Sequence, residues 1–207
     1  MKTCVIFCAG EFAALAEPIA PDSLVIAADG GLQHLQKLGI RPDVILGDFD
    51  SLGYVPQGAL VYPVEKDDTD CMLAIKKGLA LDCRRFVIYG GMDGQRTDHT
   101  VANFQALHYL AERGAQGILV GCRENATVIR NDKIAFSSEQ TGYLSVFCLG
   151  GDATGVQIRG LQYPLENGTL SAGFPLGVSN HFVGQEAMVS VENGALLLIW
   201  KQGDRLQ

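Results

Sequence analysis

A chain of 207 residues that is 47% hydrophobic and 19% charged is long enough for one large domain or two small ones with real cores, and is not disordered. Its formal charge of -7 argues against a nucleic-acid binder, which carries a basic face, and suits metal sites or a cationic small substrate. No stretch approaches the roughly 20 apolar residues of a membrane span, and Val5-Ile6-Phe7 is too short for a signal peptide, so a soluble cytoplasmic protein is expected.

Up to residue 120 the pattern alternates between strand and helix. Cys4 to Cys8 reads as a strand, which sets these two cysteines about 13 Å apart, too far for a disulfide. The six cysteines form no CxxC pair, and free thiols in a reducing cytosol are expected. Leu24 to Ala28 is a second apolar run. Leu32, Leu35 and Leu38 mark a helix face that Gly39 stops. Val44 to Leu46 and Leu60 to Val64 are strand-like, and Thr69 to Leu81 has helical spacing. Phe86 to Tyr89 is a strand, Val101, Phe104, Leu107 and Leu110 or Ala111 mark a helix ending at Gly114, and Ile118 to Val120 closes the series. Alternation of this kind predicts an open, mostly parallel sheet with helices on both faces.

Beyond Gly121 short β-type runs replace it: Thr127–Arg130, Leu144–Leu149, Val156–Ile158, Met188–Val191 and Leu196–Trp200. Asn131-Asp132, Gly150-Gly151, Asn167-Gly168 and Asn193-Gly194 separate them and predict hairpin turns. The expectation is an α/β domain over 1–122 and a small all-β sandwich or barrel over 123–207.

Chemistry concentrates behind the apolar runs of the first domain. Asp29-Gly30-Gly31, Gly47-Asp48-Phe49-Asp50-Ser51 and Gly90-Gly91-Met92-Asp93-Gly94 each follow one. Ligands of open α/β sheets bind beyond the carboxyl ends of strands. A crest of carboxylates there repels bare phosphate, so its expected purpose is to hold Mg²⁺, with the nucleotide phosphates completing the coordination. Asp48 and Asp50 can aim at one cation, although aspartates also serve turns. Lys66-Asp67-Asp68-Thr69-Asp70 leads into a helix, where Asp68 or Thr69 suits the N-cap and Lys66 suits a phosphate oxygen. Gly90 and Gly91 allow backbone N–H groups near phosphate, and Arg96 offers a bidentate contact, but the GK[ST] ending of a P-loop is missing. His99 and Asn103, one helical turn apart, can face one crevice. The histidines lack zinc-ligand spacing.

Taken in order, Ala28-Asp29-Gly30-Gly31, Pro42-Asp43 with Gly47 to Ser51, Lys66 to Asp70, and Gly90-Gly91 through Arg96-Thr97-Asp98-His99 to Asn103 resemble the bacterial thiamine pyrophosphokinase family. Gly160 to Leu165 and Ser179-Asn180 extend the resemblance into the second half. The resemblance implies a catalytic α/β domain, a thiamine-binding β domain, and a homodimer that holds thiamine where one subunit's α/β domain meets the other's β domain. It implies pyrophosphoryl transfer from ATP to the thiamine hydroxyethyl oxygen, releasing AMP. Asp48, Asp50 and Asp70 would bind Mg²⁺; Asp29, Gly30, Lys66, Asp67, Thr69, Gly90, Gly91 and Arg96 would line the nucleotide-metal site. Asp98 would lie near the substrate hydroxyl, with His99, Asn103, Ser179 and Asn180 toward thiamine. Gln95 departs from the small residue expected before the arginine. Two rivals are a haloacid-dehalogenase-type phosphatase, which places its D-x-D after the first strand, and a noncatalytic nucleotide or thiamine binder, which has no need of so many acids.

Overall fold

The computed structural model describes residues 1–202. The chain divides into two compact units, Met1–Cys122 and the residues from Arg123 onward.

Six strands and three helices build the first unit: β1 (Thr3–Phe7), β2 (Leu24–Ala28), α1 (Gly31–Leu38), β3 (Val44–Gly47), β4 (Leu60–Val61), α2 (Asp70–Ala80), β5 (Arg85–Tyr89), α3 (Thr97–Glu112) and β6 (Gln116–Val120). The strands are parallel and run in the order β6-β5-β1-β2-β3-β4. Successive strand side chains alternate between faces. Val5, Phe7, Val25, Ala27, Val87 and Tyr89 form one buried layer with Leu32 and Leu35 of α1. On the other face, a Cβ on Gly78 of α2 would lie 2.6 Å from Phe86 and 3.0 Å from Cys4, so α2 approaches the sheet closely. Thr69 caps α2 by accepting the Met72 N–H. Gly39 ends α1 in the left-handed conformation.

The chain builds outward from β1 to β4, then returns to place β5 on the other side of β1. That reversal opens a crevice beyond the carboxyl ends of β1 and β5. Two glycines make it possible. The Gly10 N–H donates to Gly90 O at 3.0 Å, and a Cβ on Gly90, whose φ is +66°, would fall 2.3 Å from Cys8 O.

The second unit is all β: β7 (Glu124–Arg130), β8 (Lys133–Phe136), β9 (Tyr143–Cys148), β10 (Ala153–Arg159), β11 (Leu165–Leu170), β12 (Gly177–His181), β13 (Ala187–Ser190) and β14 (Ala195–Lys201). Antiparallel strands pair as β12-β9-β14-β7 and as β11-β10-β13-β8. Phe136 of β8 meets Trp200 of β14 edge to face, joining the two arrays.

Several expectations need correction. Asn131-Asp132, Gly150-Gly151 and Asn193-Gly194 do not close hairpins; each joins a strand of one array to a strand of the other. Asn167-Gly168 lies inside β11, where Asn167 at φ +48° forms a bulge against β10. β8, β11 and β12 were not expected: β8 is only four residues long, and β11 and β12 carry little apolar content. Leu60 to Val64 shrinks to the exposed edge strand β4, and Val101 is exposed rather than on the buried face of α3.

Candidate active site

Two neighbouring strand ends bring the carboxylates together. Asp29 follows β2 and Asp48 follows β3, and the Asp29 N–H donates to Leu46 O at 2.8 Å. A Cβ on Gly47 would stand 3.1 Å from the Asp29 backbone, so this glycine lets the loops meet. Phe49 is buried with a left-handed φ of +61°, anchoring the turn between Asp48 and Asp50. Oxygens of Asp29, Asp48 and Asp50 all lie within 4.8 Å of one another. Asp29 also has a positive φ, +48°. Backbone strain of this kind costs of order 1–3 kcal/mol per residue and clusters at functional sites.

Asp29 is buried; its Oδ2 accepts from Ser51 Oγ at 2.5 Å, while Oδ1 is buried without a hydrogen-bond partner. Lys66 Nζ donates to Asp48 Oδ2 at 2.5 Å and lies 3.2 Å from Asp70 Oδ1, which lacks hydrogen-bond geometry. The Lys66 hydrogen bond lowers the Asp48 pKa. Burial opposes the charge on Lys66, but its hydrogen bond to Asp48 and its ion pairing with Asp70 outweigh that and raise its pKa. Burial raises the Asp70 pKa, with Lys66 only partly offsetting it. Three convergent carboxylates and a buried orphan oxygen fit a hard divalent cation, which takes oxygen ligands. Asp29 therefore stands with Asp48 and Asp50 in the convergent group, while Asp70 meets that group through Lys66.

A cleft of about 710 Å³ opens beside this cluster. Asp29, Thr69, Asp70, Gly90, Gly91, Arg96, His99 and Asn103 line it. Arg96 and Asp98 engage each other first: Nε donates to Oδ1 at 2.9 Å and Nη2 to Oδ2 at 2.5 Å. That pairing pulls the Asp98 pKa down to about 2. Asn103 is buried and donates to Gly91 O at 2.8 Å, so it braces the glycine turn. Gly30 is the residue before α1 and packs against Ala9. Asp67 is exposed and is not among the residues lining the cleft, and Asp68 pairs with Lys76 at 2.7 Å.

Sequence reasoning missed Gly10, Glu11 and His34, which also line the cleft. His34 Nε2 lies 2.8 Å from Gly10 O. Their only signal is a single glycine just past the first apolar run.

In the second unit, Ser179 has φ +58° at a bulge of β12 against β9, and its N–H donates to Ser145 Oγ at 3.1 Å. Asn180 is buried and held at both ends of its amide: Oδ1 accepts the Tyr163 and His181 N–H groups, and Nδ2 donates to Tyr163 O. Asn180 thus fastens the Tyr163 loop to β12 and leaves Ser179 exposed beside it.

Residues 16–119 match the thiamin pyrophosphokinase catalytic domain, and residues 131–196 match the vitamin B1 binding domain of the same family. Thiamine pyrophosphokinase of Bacillus subtilis (strain 168) is 26% identical over 186 residues, covering 86% of each chain. The crystal structure of the B. subtilis thiamine pyrophosphokinase aligns with a TM-score of 0.84 at 25% identity, over 97% of this chain and 99% of that one. Thiamin pyrophosphokinase of Geobacillus thermodenitrificans gives 0.78 at 24% identity over the whole of both chains, and yeast thiamin pyrophosphokinase 0.72 at 15% over 99% and 87%, likenesses of fold. With both halves matched in order, the chain belongs to the thiamine pyrophosphokinase family, enzymes that form thiamine diphosphate from thiamine.

Proposed function

We propose that the protein transfers a pyrophosphoryl group from ATP to the hydroxyethyl oxygen of thiamine in a Mg²⁺-dependent reaction that releases AMP. The observation that carries this reading is the Asp29-Asp48-Asp50 group beside a glycine-walled cleft at the sheet's reversal point. Asp29, Asp48 and Asp50 hold Mg²⁺, with Asp70 supporting them. When bound, the ion supplies neutralisation of the triphosphate charge.

The protein's own groups position the reactants. Backbone around Gly90 and Gly91 lies against the phosphates, and Arg96 and Lys66 add cationic contacts. Asp98 accepts a hydrogen bond from the thiamine hydroxyl and orients its oxygen for attack on the β-phosphorus. Such transfers need alignment and charge compensation more than covalent help. His99 and Ser179 contact thiamine, Asn103 and Asn180 support those contacts, and the acidic cleft favours the thiazolium cation.

The first unit is the catalytic domain and the second the thiamine-binding domain. Reacting atoms must approach to about 3–3.5 Å. We place each site in a two-fold homodimer, between one subunit's first unit and its partner's second. The buried thiols of Cys4, Cys8, Cys71 and Cys83 suit the reducing cytosol in which we place the enzyme. Omission of thiamine, ATP or Mg²⁺ from the assay should each abolish AMP formation; AMP released without thiamine contradicts the assignment.

A further inference from the structure

Both oxygens of Asp48 already accept a hydrogen bond. Oδ2 accepts from Lys66 Nζ at 2.5 Å and Oδ1 accepts the Asp50 N–H at 3.3 Å. Yet the same carboxylate completes the convergent group with Asp29 and Asp50. A divalent ion in that group and the Lys66 ammonium therefore compete for one side chain. Lys66 also spans to Asp70, 3.2 Å away at the start of α2. It stands outside regular secondary structure, between β4 and α2, on a flexible four-carbon stem. Its head can be withdrawn without unwinding a helix.

The charge balance gives the exchange a direction. Asp29, Asp48, Asp50 and Asp70 set four carboxylates against one ammonium, a formal 1 − 4 = −3. A divalent ion brings the group to −1 with the ammonium in place and to −2 without it, so the metal leaves the four acids better neutralised than the ammonium alone does and lowers the cost of withdrawing it. The triphosphate that follows brings fresh negative charge to the adjoining cleft. We infer that Lys66 is a tethered cation that yields Asp48 to the divalent metal and moves its charge onto the nucleotide phosphates, coupling the two binding events. This positioning role rests on the Mg²⁺-nucleotide reading above. Coupling between two ligands is reciprocal, so each should bind more weakly without the other.

The test uses Mn²⁺ as the probe, with free ion measured by EPR, on the full chain with and without a nonhydrolysable ATP analogue. Lys66→Met should tighten binding of Mn²⁺ alone by about tenfold and weaken the analogue at saturating Mn²⁺ by about tenfold, as expected for a lost charged hydrogen bond. Lys66→Arg should restore part of both. In the Asp48→Asn background, Lys66→Met should bring no further gain in Mn²⁺ affinity. Unchanged Mn²⁺ affinity in Lys66→Met makes Lys66 a plain phosphate ligand and overturns the exchange. A full gain that persists in the Asp48→Asn background reduces it to through-space repulsion and overturns it equally. Wild-type protein that binds no Mn²⁺, even with the analogue, defeats the Mg²⁺-nucleotide reading itself, a result distinct from the other two.

Discussion

Asp98 and Asp70 carry the same functional group in opposite surroundings. Arg96 holds exposed Asp98 at about 2, whereas burial pushes Asp70 up. A carboxylate with so low a pKa is a poor proton acceptor near neutral pH, so in the proposed reaction Asp98 is assigned to orienting the alcohol and not to deprotonating it. Because its pKa is depressed, its contribution to stability is present above 3.8 and is lost as pH falls toward 2. Arg96→Gln should return the Asp98 carboxyl toward 3.8, read by carbon NMR titration; an unmoved value means Arg96 is not the cause. Asp48→Asn and Asp50→Asn should each cut turnover by orders of magnitude with the circular dichroism spectrum unchanged. Near-normal turnover at limiting Mg²⁺ would remove both from the metal site. The Asp48-Phe49-Asp50 pair was legible in the sequence because its geometry is local to one loop. Asp29 was legible with it as a strand-end acid, but its distance was not, since the β2–β3 pairing and Gly47 decide it.

At the scale of elements, helices and parallel strands of the first unit were readable because their apolar periodicities are long. Strands of the second unit were less so, since β12 (Gly177-Val178-Ser179-Asn180-His181) pairs on one side with β9 and carries little apolar content. Asn-Gly pairs misled for a physical reason: positive φ serves bulges as well as turns, as Asn167 shows within β11. The Ser179 bulge has the same origin and carries a testable consequence. A non-glycine residue in the left-handed region costs roughly 1–2 kcal/mol, so Ser179→Gly should stabilise the protein by about 1 kcal/mol in urea denaturation. Loss of its hydroxyl should at the same time raise the thiamine KM several-fold and leave ATP kinetics alone. Stabilisation without a change in thiamine KM places Ser179 outside the pocket.

For the whole molecule, the acids lie in the first unit and Ser179 in the second, and the proposed shared-site dimer would bring a first unit and a partner's second unit to one substrate. Mixing Asp48→Asn with Ser179→Trp tests the shared-site dimer. Subunit exchange should restore part of the activity, because one of two composite sites then carries neither change. A mixed dimer with no recovery means each site is built within one chain. In the proposed reaction the β- and γ-phosphates leave ATP as one unit. ATP labelled with ³²P at the β position, incubated with thiamine and Mg²⁺, should deliver its label to thiamine diphosphate and leave AMP unlabelled. Label retained in ADP, with thiamine monophosphate as the partner product, would contradict it.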